Sequence, residues 1–181
     1  MKNLSTFKLY ALFIISKLER SAYNTSLWCS MKKISDILTV ARIKDIQAQT
    51  KDEVLAELVE MVVDAPEVTS PDTLLHAIKA REAIISTGIG MGIAIPHAKI
   101  SSVTDFVIAV GRSKEGVDFQ SLDDLPVHLF MLIAASDTQG EDFLKFLGRI
   151  GAFFNKRGKT EKFLKAGNPE YMLKLFREID T

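Results

Sequence analysis

The chain has 181 residues, a size that suits one domain with an extension or at most two small domains. Hydrophobic residues make up 47% and charged residues 25%, which calls for a packed core and excludes wholesale disorder. Lys+Arg and Asp+Glu both number 23, and that balance argues against a protein whose main work is to neutralise nucleic-acid phosphates.

Residues 1–31 read as an N-terminal extension. "FKLYALFIISKLER" holds an apolar run from Leu9 to Ile15 between Lys8 and Lys17. It is far shorter than the ~20 residues that cross a bilayer, so no stable membrane insertion is expected. Three readings stay open: a weak signal-peptide core without a convincing cleavage site, an amphipathic helix with Leu9, Leu12, Phe13 and Ser16 on one face, or a true start at Met31. Cys29 is the sole cysteine, which excludes an intrachain disulfide. With His76, His97 and His128 scattered along the chain, no metal-ligand spacing exists and no metal is expected. The composition fits a reducing, cytoplasmic setting.

From Met31 onward helix and strand signals alternate. "RIKDIQAQ" is a weak strand. Thr50 and Glu53 form a capping box for a helix from Lys51 to Asp64, with Val54, Leu55, Leu58, Val59 and Val62 on its apolar face and Pro66 ending it. Ser70-Pro71 opens a second helix that runs to about Ile85. "DFVIAVGR" (105–112) and "PVHLFMLIAA" (126–135) are apolar runs of strand length, expected to be covered on both faces, with a turn between them at Glu115-Gly116. After a polar loop, Phe143, Leu144, Leu147, Ile150 and Phe154 recur at helical spacing. Two short helices close the chain, the second capped by Asn168 with Pro169 just inside. The pattern is one α/β domain over residues 32–181.

Between the second helix and the first long strand lies "TGIGMGIAIPHAK" (87–99). The backbone N–H groups of such a loop can form an anion-binding nest, which makes Gly88, Gly90 and Gly92 candidate binding residues. The spacing is GxGxG rather than GxGxxG, and a helix precedes it where the dinucleotide fingerprint needs a strand. A Walker loop would end in Gly-Lys-Ser/Thr, and this one does not. Beyond Gly92 the chain reads as extended up to Pro96, where a strand is expected to stop, placing the His97 side chain at the surface near unpaired N–H groups. Imidazole titrates near neutrality, and its neutral nitrogen is a nucleophile able to accept a phosphoryl group. Arg81 is the candidate cation for phosphate oxygens. A lone histidine beside a proline is also the pattern of a turn residue. His128, in an apolar strand, reads as a hydrogen-bonded structural histidine, and His76 as a solvated helix residue.

"REAIISTGIGMGIAIPHAK" resembles the active-site signature of the fructose/mannitol/nitrogen-regulatory class of enzyme IIA domains of the bacterial sugar phosphotransferase system. The resemblance runs from about Met31 to Asp180 and comes nearest to the stand-alone nitrogen-regulatory branch. It implies a mixed central sheet flanked by helices, phosphorylation of His97 by an HPr-type phosphocarrier protein, phosphate stabilisation by Arg81, and no cofactor. It further implies a regulatory target or a separate IIB protein as partner. Two departures stand out. Met91 occupies a site in the glycine run that is polar in many members, and Phe143 falls where many carry a second histidine, which tilts the reading towards a regulator. A third possibility is a docking module that is never phosphorylated.

Overall fold

The computed structural model describes residues 32–180, so the expectations for residues 1–31 lie outside the described part. A short helix α1 (Ile34–Ile37) and a 3-10 turn (Val40–Arg42) lead into strand β1 (Ile43–Asp45). Helix α2 (Lys51–Glu60) starts on the expected capping box: the Thr50 hydroxyl accepts from the Glu53 N–H, and the Glu53 carboxylate accepts from the Thr50 N–H. It ends at Glu60, short of the expected Asp64, because the chain tightens into turns with Val62 N–H donating to Val59 O and Ala65 N–H to Val62 O. Helix α3 (Pro71–Ile84) begins on Ser70, whose hydroxyl accepts from Thr73 N–H, and buries Leu74, Ile78 and Glu82 at four-residue spacing.

Strands β2 (Gly88–Gly90), β3 (Ile93–Ala94), β4 (His97–Lys99), β5 (Val107–Val117) and β6 (Val127–Ala135) come next, then helices α4 (Gly140–Phe154), α5 (Lys159–Leu164) and α6 (Pro169–Phe176). The sheet is ordered β1-β5-β6-β3-β2, with β4 taking over beside β6 where β3 stops. It is mixed: β1 runs parallel to β5, β5 antiparallel to β6, and β3 and β4 both parallel to β6.

The two long strands sort their side chains with the two-residue period of a pleated sheet. On β6, Leu129, Met131, Ile133 and Ala135 join one apolar cluster with Phe143, Phe146, Ile150, Phe154, Phe163 and Phe176 from α4, α5 and α6. Phe130, Leu132 and Ala134 join the other, with Val54, Leu58, Leu74 and Ile78 from α2 and α3. The result is a helix–sheet–helix sandwich whose central strands are covered on both faces, as their continuous apolar runs required.

Two sequence expectations are corrected. Glu115-Gly116 is not a turn. β5 continues to Val117, with a register shift before it, and the connection to β6 falls at residues 118–126. Gly116 has φ +81° at this irregularity, and an added Cβ would lie 2.7 Å from the His128 ring. Pro96 interrupts the edge of the sheet rather than ending it, because β4 resumes pairing with β6 at His97.

Candidate functional site

His97 opens β4, opposite Ile133 of β6, so its ring points to the same face of the sheet as Ile133. There it meets Phe143 in the first turn of α4, with ring centroids 6.0 Å apart and planes tilted by 57°. Phe143 is itself backed by Phe106 at 6.2 Å. The imidazole is half-buried, less open than the sequence suggested.

Its Nδ1 lies 2.7 Å from the carbonyl oxygen of Ile95. A carbonyl can only accept, so a neutral ring carries its proton on Nδ1 and leaves the lone pair on Nε2. Removal from water dominates the electrostatics and lowers the His97 pKa to about 4 from the ordinary 6.5. The Ile95 carbonyl opposes that shift, the Arg81 charge adds to it, and the Glu82 charge opposes it. At neutral pH the ring is therefore uncharged and nucleophilic at Nε2.

The end of α3 supplies both of those charges. Arg81 is half-buried and donates from Nη1 to the Ile85 carbonyl at 3.0 Å; its other N–H groups have no acceptor among the described residues. Burial lowers its pKa and the neighbouring Glu82 raises it, and a guanidinium in this setting stays charged. Glu82, only 5% exposed, accepts from Thr87 N–H at 2.9 Å and from the Thr87 hydroxyl at 2.6 Å, and pairs with Lys51 at 2.9 Å.

From the sequence, the amides of Gly88, Gly90 and Gly92 are expected to cradle an anion beside His97; in the structure Gly88 pairs with Ala94, and from there strand direction carries the turn away from His97. Gly92 O accepts from His128 N–H and Leu129 N–H at the start of β6, whereas His97 lies opposite Ile133. Four residues of strand, roughly 13 Å, separate the two positions. Two of these amides are also engaged, Gly88 N–H donating to Ser86 Oγ and Gly90 N–H to Ser121 Oγ, and the intervening Met91 N–H donates to the Asp123 carboxylate. The glycines serve a tight turn instead. Gly90, Met91 and Gly92 have φ of 88°, 57° and 74°, and a Cβ on Gly88 would meet Ser121 Cα at 2.9 Å.

Sequence reasoning singled out His97 and Arg81, and in the structure the Arg81 charge acts on His97. It missed Glu82, Thr87 and Lys51. The signal for Glu82 was present, since a glutamate four residues after Ile78 continues the buried stripe of α3. His128 behaves as expected, with its Nδ1 at 3.2 Å from Ser113 O, and His76 is exposed on α3. Of the apolar residues of the glycine run, Ile93 is buried in the core and Ile89 packs against it, while Met91 is exposed.

Residues 37–179 match the family described as "Phosphoenolpyruvate-dependent sugar phosphotransferase system, EIIA 2". The chain is 37% identical over 149 residues to the fructose-specific EIIABC component of Bacillus subtilis; the match covers 82% of this chain and 24% of that protein, so the chain spans about a quarter of that relative. It is 33% identical over 150 residues to the fructose-specific EIIA component of Haloferax volcanii, covering 81% of this chain and 97% of that protein. Among solved structures, the nitrogen regulatory protein IIA-Ntr of Neisseria meningitidis superposes with a TM-score of 0.75 at 24% identity, over 79% of this chain and 98% of that one, a likeness of fold. No helix among the described residues is long and apolar enough to cross a membrane.

Proposed function

We propose, from the premise that this chain belongs to the EIIA 2 family of the phosphoenolpyruvate-dependent sugar phosphotransferase system, that it is a cytoplasmic phosphohistidine carrier with His97 as the acceptor. The donor is an HPr-type phosphocarrier protein. The observation that carries the reading is the 2.7 Å bond from His97 Nδ1–H to Ile95 O, which leaves Nε2 as the one basic atom of a neutral ring. The Nε2 lone pair attacks phosphorus, an N–P bond forms, and the donor's N–P bond breaks with its electron pair returning to the donor imidazole. Arg81 holds the phosphoryl oxygens as charge redistributes, using the guanidinium N–H groups not engaged by Ile85. In onward transfer the acceptor's nucleophile attacks phosphorus and the His97 N–P bond breaks, with its electron pair returning to Nε2.

The phosphoryl group then has two candidate fates. Phe143, packed on the imidazole where many members carry a second histidine, favours a regulatory role in which the phosphorylated state is read by a target protein. The identity to fructose-specific components favours the second reading, delivery to a separate IIB protein for sugar uptake. Incubating the chain with enzyme I, an HPr-type carrier and labelled phosphoenolpyruvate tests the common core. Label is expected on the wild type and lost in His97→Ala; equal labelling of both overturns the assignment, and no label at all favours a docking module. Adding a IIB protein to the phosphorylated chain separates the fates: rapid loss of label supports delivery, and persistence supports regulation.

A further inference from the structure

A chain of contacts runs from the first turn of α2 to the imidazole. Lys51 Nζ pairs with Glu82 at 2.9 Å, donates to Gln120 Oε1 at 3.2 Å and sits 4.9 Å from the centre of the Phe119 ring. Glu82 in turn holds Thr87 by both its N–H and its hydroxyl. The Thr87 carbonyl accepts from Ile95 N–H at 3.0 Å, and the Ile95 carbonyl accepts from His97 Nδ1. Pro96, the one residue between Ile95 and His97, has no N–H and a fixed φ, so the segment has little freedom to reorient.

We propose that Lys51 and Glu82 are positioning residues for His97, holding the Ile95 carbonyl through Thr87 so that the ring keeps its proton on Nδ1 and presents Nε2. The inference rests on the phosphocarrier reading for its consequence, but the tautomer it predicts belongs to the chain alone. A buried ion pair is by itself weak evidence of a stabilising role, because it can often be exchanged for apolar residues without loss. Electrostatics gives the pair a second task. Glu82 stands near enough for its charge to act on His97, so it would repel a phosphoryl group arriving at Nε2. The Lys51 ammonium offsets that charge while leaving the carboxylate free to hold Thr87.

Lys51 is the residue to change, since its side chain is 21% exposed at the edge of the fold and touches no part of the transferring group. In Lys51→Met the nitrogen spectrum of the unphosphorylated His97 ring should show the Nε2–H tautomer rising several-fold from its wild-type share. The rate of phosphoryl acceptance at saturating carrier should fall about tenfold, with the half-saturating carrier concentration unchanged. Lys51→Arg should restore both, and Glu82→Gln should reproduce the tautomer change. Wild-type tautomer and rate in Lys51→Met, or an Arg variant as impaired as the Met variant, would overturn the proposal. If no carrier labels the wild type, the phosphocarrier reading fails while the ring spectra still decide whether Lys51 and Glu82 set the tautomer.

Discussion

Cutting Phe143 back to alanine should move the titration of His97 further than any change remote from the ring. Burial is the largest cause of the fall from 6.5 to about 4, and the Phe143 ring, 6.0 Å away and itself 6% exposed, is one wall of that burial. The difference corresponds to about 3 kcal/mol in favour of the neutral ring. At pH 5.5 a group titrating at about 4 is roughly 97% neutral, whereas one at 6.5 is roughly 9% neutral, so the competent fraction differs by about tenfold. The sign for stability comes from linkage. Above pH 6.5 folded and unfolded rings are both neutral; between 6.5 and 4 only the unfolded ring takes up a proton, so stability is lost across that window as pH falls. Following the His97 ring protons by NMR from pH 8 to pH 3.5 should give a wild-type midpoint near 4. In Phe143→Ala it should rise by about one pH unit or more towards 6.5. The truncation also costs about 3–5 kcal/mol of core packing, so Phe143→Leu serves as a milder companion. A wild-type midpoint at 6 or above, or a midpoint unmoved in both variants, would refute the account of the site as a desolvated nucleophile.

Other outcomes are equally direct. Asp180 accepts from Ile34 N–H at 2.7 Å and Ser35 N–H at 3.0 Å, and its buried carboxylate lies 3.5 Å from the buried Arg149 guanidinium. Asp180→Ala should therefore lose about 3–5 kcal/mol in urea unfolding; a loss below about 1 kcal/mol would deny the pair its role in tying the chain's end to α1. Thr50→Ala removes one arm of the α2 capping box and should cost about 1 kcal/mol by the same assay. Gly116→Ala should lower the thermal midpoint by several degrees, from a strained φ of +81° and a Cβ forced against His128, whereas Gly151→Ala, with open space around it, should not.

Much of the fold was legible because it rests on local rules. Capping at Thr50, Ser70 and Asn168, proline at the first turn of two helices, and the two apolar runs of β5 and β6 are each readable within a dozen residues. Glu115-Gly116 misled because a glycine at a strand irregularity and a glycine in a turn ask for the same positive φ. Helix α4 was found by its period, yet Leu144, in phase with it, is 58% exposed. Periodicity tells which residues share a helix face, and neighbours decide how far that face is covered.

From the sequence came the candidate nucleophile, since a histidine after Ile-Ala-Ile-Pro and an arginine on the preceding helix are chemical facts that any fold must accommodate. Which groups surround that histidine was left to tertiary structure. Strand direction carries the glycine turn to the far end of β6 and brings Glu82, Thr87 and the Ile95 carbonyl to the near end. The tautomer is set by a carbonyl only two residues back, Ile95 O, whereas helix α4, arriving from more than forty residues away, lays Phe143 on the ring and dries it. The contact with Phe143 has no local signature, because it depends on two segments that meet only once the sheet has formed.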